Sequence, residues 1–134
     1  MFLLDTVALS ELRKKERNPG LVRWIKNKQN IQLFISVVTI GEIERGVWLQ
    51  KNKNAAFAAK LNDWLSQLLL LHKDRILPVT TSIAMRWGRL SALAGHAGAD
   101  VLIAATALEH GLTVVTRNER HFAPTEVPCV NPWE

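Results

Sequence analysis

An α/β fold, with a short central parallel sheet flanked by helices on both faces, is what this sequence of 134 residues predicts. Two observations carry that expectation. Short apolar runs alternate along the chain with longer stretches of helical periodicity, the pattern of strand–helix–strand units. Each apolar run is brief and nearly unbroken, as expected of a strand buried on both faces. The length suits one domain, residues 1–134, with a real core.

Phe2-Leu3-Leu4 is the first such run and ends on Asp5-Thr6. A helical pattern follows over Val7 to Glu16, with Val7, Ala8, Leu9 and Leu12 on the apolar side and Glu11, Arg13, Lys14 and Lys15 outside. Asn18-Pro19-Gly20 signals a turn, and Leu21, Val22, Trp24 and Ile25 suit a second short helix. Gln32 to Val38 is the strongest strand pattern, and Thr39 is expected to start a helix with Ile40, Ile43 and Val47 on one face. After a polar linker, Gln50 to Asn54, a long helix over Ala55 to Leu71 carries an apolar stripe of Phe57, Leu61, Trp64, Leu65, Leu68 and Leu71. These two consecutive helices read as an antiparallel pair packed on the sheet or on a partner.

Arg75 to Val79 is a short strand stopped by Pro78, and Thr80 to Ala94 is another helix. Gly95 to Gly98 is a loop. From Gly98 an apolar helix runs to His110-Gly111, which closes it with a cation-capable residue and then a glycine. Leu112 to Val115 is a β-branched strand, Asn118 to Pro124 reads as irregular, and Val127 to Val130 is a last strand. Right-handed crossovers put the C-terminal strand ends on one edge, where ligands of open α/β sheets bind.

The net charge of +5 and a pI near 9.8 favour a polyanionic partner such as nucleic acid, against the plain alternative of a solvated basic surface. Lys14, Lys15, Arg17, Lys26 and Lys28 form the densest basic group and are candidates for phosphate contact. A single cysteine, Cys129, excludes an internal disulfide framework and a multi-cysteine zinc site, and fits a reducing cytoplasm. No signal peptide is visible, and Leu68 to Leu71 is far too short to span a membrane. His72, His96, His110 and His121 show no zinc spacing.

Of twelve acidic residues, only Asp5, Glu42 and Asp100 sit in apolar sequence. Asp5 ends the first strand, Glu42 lies one turn past the second, and Asp100 opens the apolar helix. Converging carboxylates repel one another and carry raised pKa values unless a cation joins them. Hard oxygen ligands suit Mg²⁺ or Mn²⁺, ions that activate water and offset charge on a phosphodiester. Each residue also has an ordinary reading. Asp5 can cap the first helix, Thr39-Ile40-Gly41-Glu42 fits a capping box, and Asp100 suits the positive end of its helix.

At these residues the sequence resembles the PIN-domain ribonucleases, most closely the VapC and FitB-type toxins of bacterial toxin–antitoxin pairs. The likeness covers essentially the whole chain. It rests on Leu3-Leu4-Asp5-Thr6, on Ser36 to Val47 around Glu42, on Ala99-Asp100 followed by Leu102 to Ala107, on Thr113 to Asn118, and on Asn131-Pro132-Trp133. The resemblance implies a PIN-like fold and a ribonuclease whose metal ligands are Asp5, Glu42 and Asp100. Asn118 stands where many relatives have a fourth aspartate and would reach the metal through water. Thr6 and Thr116 would support the site from behind. The implied cofactor is Mg²⁺ or Mn²⁺, the substrate RNA, and the partner a small antitoxin with a DNA-binding module; the toxin would be a homodimer, with no membrane attachment. Val7 and His121 depart from the family pattern, and a neutral Asn118 leaves open whether one metal or two would act.

Arg86 and Arg89 are candidates to contact RNA or an antitoxin carboxylate, against the alternative of a solvated flank. His121 is a general-acid candidate, against that of a solvated loop histidine. The rival function is a catalytically impaired module acting by RNA or antitoxin binding alone. An aspartate-phosphorylating receiver or phosphatase is set aside, because Thr6-Val7 supplies no second acid beside Asp5.

Overall fold

The computed structural model describes residues 1–134. Five strands, β1 (Phe2–Leu4), β2 (Leu33–Ser36), β3 (Ile76–Leu77), β4 (Thr113–Val115) and β5 (Cys129–Val130), form one sheet in the order β3-β2-β1-β4-β5. Every neighbouring pair is parallel. The order reverses at β1, which lies between β2 and β4, so the switch point falls at the C-terminal ends of β1 and β4.

Seven helices accompany the sheet: α1 (Thr6–Glu11), α2 (Pro19–Lys26), α3 (Val37–Gln50), α4 (Ala55–Leu71), α5 (Thr81–Ala94), α6 (Ala99–His110) and α7 (Glu119–Phe122). Side chains alternate along each strand, so the two faces of the sheet bury different residues. Leu4, Ile35 and Val115 join Leu9, Leu21, Ile43, Leu65 and Leu68 in one core cluster. Leu3 and Val114 join Ile103, Ala104, Ala107 and Phe122 in the other. The expected α/β arrangement with helices on both faces is therefore present, and the α3–α4 pair packs on the sheet through Ile43, Leu65 and Leu68, while Leu71, expected in the same stripe, is exposed.

Several boundaries differ from the sequence expectation. α1 stops at Glu11, five residues short of the helix expected to Glu16. The sequence pattern puts Glu11 outside, yet its side chain is only 11% exposed. It folds back so that Oε2 accepts the Asn18 N–H at 2.9 Å, and Oε1 lies 3.0 Å from Lys14 Nζ. Asn18-Pro19-Gly20 opens α2 instead of forming a separate turn: Asn18 caps the helix by accepting the Leu21 N–H, and proline takes a position where its missing N–H costs nothing.

β2 ends at Ser36, not Val38, because the Ser36 hydroxyl accepts the Val38 N–H and starts α3 two residues early. Thr39 is thus inside the helix and fully buried, which removes the expected Thr39–Glu42 capping box. The polar stretch after β4 holds the four-residue α7 and a further turn of 3-10 helix over Ala123–Thr125. No helix is long and apolar enough to cross a membrane.

Candidate active site

Asp5 leaves β1 at the switch point, its N–H donating to Val115 O across the sheet at 3.1 Å. It is 3% exposed and caps α1, Oδ1 accepting the Ala8 N–H at 2.8 Å. The capping reading of Asp5 therefore holds, and it also fixes this carboxylate at the sheet edge. Burial pushes its pKa up; the hydroxyl of Thr116 and the Ala8 N–H pull the other way; Asp100 and Glu42 push it up again.

Glu42 and Asp100, two of the three acids singled out from the sequence, line one pocket, and Asp5 lies near enough for both charges to act on it. Glu42 reaches the site from the second turn of α3. Its Oε1 accepts the Thr6 hydroxyl at 2.6 Å, and Thr6 Oγ1 lies 3.0 Å from Thr39 Oγ1. Thr6 thus holds Glu42 in place, and Thr39 in turn backs Thr6. Sequence alone marks Thr39 only as a helix start; its spacing of three residues from both Ser36 and Glu42 is the available signal for a shared face.

Asp100 lies in the first turn of α6 and makes no cap hydrogen bond, so its position also favours the positive end of the helix. Its Oδ2 lies 3.3 Å from His121 Nδ1. Glu42 and Asp100 line an open pocket of about 460 Å³ together with His96, Gly98, Ala99 and His121. His96 is a wall residue that zinc-spacing arguments could not find; its place in the loop leading directly into Asp100 is the only hint.

Thr116 is fully buried at the end of β4, and its Oγ1 accepts the Asn118 N–H at 2.9 Å. Asn118 itself is exposed and lines a neighbouring cleft with Arg117, Glu119, Arg120, His121 and Asn131. The pocket of Glu42 and Asp100 does not include it; His121 is the wall the two share.

The arginine candidates divide. Arg86 donates from Nε to Glu109 Oε2 at 2.7 Å, which ties α5 to α6 and occupies it within the fold. Arg89 is exposed and makes no ion pair. Burial, followed by Glu119 and Asp5, pushes the Cys129 thiol up, which disfavours the thiolate a nucleophile requires.

No three His, Cys, Asp or Glu side chains are gathered tightly enough to form a preassembled metal cage. The donor chemistry nonetheless suits a hard divalent cation. Glu42 Oε2 and Asp100 Oδ1 have no protein partner, and mutual repulsion with Asp5 is what a cation would relieve.

Residues 2–126 match the family described as PIN domain. The chain is 34% identical to Toxin FitB of Neisseria gonorrhoeae, over 99% of each sequence. It is 30% identical to VapC ribonuclease Y4jK of Sinorhizobium fredii, covering 100% of this chain and 99% of that one. Among solved structures, FitAcB from Neisseria gonorrhoeae superposes with a TM-score of 0.89 at 34% identity, covering 100% of this chain and 99% of the other. FitAB bound to an IR36 DNA fragment follows at 0.86 and 32% identity, with 100% and 96% covered. With its carboxylates at the sheet's switch point and a match over nearly its whole length, the chain belongs to the PIN-domain family.

Proposed function

We propose that this chain acts as a single PIN domain that hydrolyses RNA with a divalent metal ion, and that it is the toxin of a toxin–antitoxin pair. What supports this reading is that Glu42 and Asp100 share one pocket while Asp5, at the switch point of the sheet, lies near enough for both charges to act on it. The relatives support it: one is named a toxin, another a VapC ribonuclease, and FitAB is a complex seen on DNA. On that likeness the partner is a small antitoxin carrying a DNA-binding module, the toxin forms a homodimer, and RNA in the cytoplasm is the target.

In this reading Asp5, Glu42 and Asp100 hold Mg²⁺ or Mn²⁺. The ion these residues would hold would supply a Lewis acid to activate water and offset charge on the phosphodiester. The chain's own residues orient the ligands: Thr6 fixes Glu42, the Ala8 N–H and Thr116 fix Asp5, and His121 lies against Asp100. Partners of this kind typically change metal affinity or activity by about 10–100-fold. Asn118, exposed on the neighbouring cleft, contributes a neutral polar group beside the incoming RNA.

The second reading, an impaired module that binds without cutting, draws on the absence of a preassembled three-ligand cage and on the neutral Asn118. One experiment separates the two. Purified protein is incubated with structured RNA and Mn²⁺ or Mg²⁺, with EDTA and with Asp100→Asn, and Mn²⁺ binding is followed by calorimetry. Metal-dependent cutting lost in the variant supports the nuclease. Failure to bind Mn²⁺ at all supports the module.

A further inference from the structure

The sequence shows a dense basic group between Lys14 and Lys28, and the structure sorts its members. Lys14 pairs with Glu11 at 3.0 Å. Lys28 lies over the rings of Phe2 and Trp24, with Nζ 5.4 and 4.9 Å from their centroids. Arg23 pairs with Glu134. Lys15, Arg17 and Lys26 have no carboxylate partner, and all three line one cleft of about 610 Å³ with Pro19, Val22 and Arg23.

Like charges held unpaired around one cleft repel, and the loop that carries two of them is built to stay there. Glu11 and Asn18 join its two ends at 2.9 Å, and Arg17 Nε donates to Lys14 O at 3.1 Å. Further cations lie between this cleft's loop and the carboxylates. Arg117 is close enough to Glu11 to help lower its pKa. Arg117 and Arg120, likewise without ion pairs, line a second cleft, whose wall His121 also borders the pocket of Glu42 and Asp100. Of the acids near these clefts, Glu134 pairs with Arg23 and Glu11 with Lys14, while Glu16 and Glu119 make no ion pair.

We infer that Lys15, Arg17 and Lys26 form a docking site for the phosphodiester backbone of single-stranded RNA, from which Arg117 and Arg120 lead the strand to Asp100. The inference rests on the ribonuclease reading only for the direction of that path. Contact with the backbone carries no sequence information, so the cleft contributes affinity without choosing the cleavage site.

The test compares Lys15→Gln/Arg17→Gln/Lys26→Gln with a control of equal charge loss, Lys53→Gln/Lys60→Gln/Lys73→Gln, at exposed positions elsewhere. Binding of a labelled mixed-sequence RNA 20-mer is measured in EDTA over a range of salt, so the result does not depend on cutting. Removing one cation that neutralises a phosphate should weaken binding about five-fold near 0.1 M salt and flatten the log–log salt slope by about 0.7. The expected result is a weakening of that size for each cation in the first variant and a much smaller one in the control. Equal weakening in both would overturn the inference, as would an unchanged salt slope. Retained RNA binding with abolished binding of a poly-glutamate peptide would also overturn it and assign the cleft to an acidic protein segment. If wild-type protein binds RNA through the cleft yet never cuts, the docking site stands and the nuclease reading fails.

Discussion

Replacing Glu11 with glutamine isolates an interaction that the sequence pattern places on the surface. Glu11 Oε2 accepts the Asn18 N–H at 2.9 Å, and Oε1 lies 3.0 Å from Lys14 Nζ. A hydrogen bond to a charged acceptor is worth about 1.5–3 kcal/mol and its neutral counterpart about 0.5–1.5. Glutamine keeps the shape and loses the charge, so the backbone hydrogen bond weakens by about 1 kcal/mol. The lysine side chain is 53% exposed. Its ion pair is therefore screened and adds only about 0.5 kcal/mol. Glu11→Gln should cost about 1.5 kcal/mol at pH 7, a fall of roughly 5 °C in Tm for a chain of this size.

The pH dependence has a definite sign. Lys14, more than any other group, holds the Glu11 carboxyl below its ordinary value of 4.5 in the fold. A depressed carboxylate stabilises the fold above its unfolded pKa and loses that contribution as pH falls through the folded pKa. Urea melts of both proteins between pH 3 and 8 should show a constant gap above about pH 5.5 that closes in acid. A gap that persists unchanged at pH 3, or no gap at pH 7, would refute the reasoning.

Three other substitutions probe the site and its frame. Thr6→Val removes the donor to Glu42 Oε1 at 2.6 Å and should weaken Mn²⁺ binding about ten-fold by calorimetry while the circular dichroism spectrum stays unchanged. Leu65→Ala, at a position 3% exposed beneath the sheet, should cost about 3 kcal/mol in urea denaturation without altering metal affinity. Gly20→Ala would drive a methyl group into the backbone of Pro132 and Glu134, the latter's N at 2.9 Å, and should lower Tm by more than any exposed substitution in α2.

The layers of the fold are legible in the sequence because the short apolar runs and the helical stripes are strong and alternate. The boundaries are less so, for reasons visible at particular residues. Val37 and Val38 carry strand propensity, but Ser36 supplies a cap, and the helix wins because the β-branched penalty is only a few tenths of a kcal/mol. Glu119 to Phe122 make too short a helix to show a period at all. For the site, Asp5, Glu42 and Asp100 stand out as acids in apolar sequence. Among their supports, Thr6 and Thr116 come from the resemblance, whereas Thr39 does not stand out, because it acts through Thr6, which is distant in sequence. Arg86 cannot be distinguished from Arg89 until Glu109 is placed beside it.

The central position of β1 has a consequence for how the protein comes into being. Leu4 pairs with Ile35 on one side and with Val115 on the other, so the strand that leads into Asp5 waits for β4 before its second edge is closed. On the ribosome, a nascent chain that has emerged only as far as α5 contains Asp5 and Glu42 but lacks both Asp100 and the strand that completes their floor. Non-local pairing of this kind folds slowly. The three carboxylates can therefore come together only after α6 and β4 have emerged, when nearly the whole chain is available.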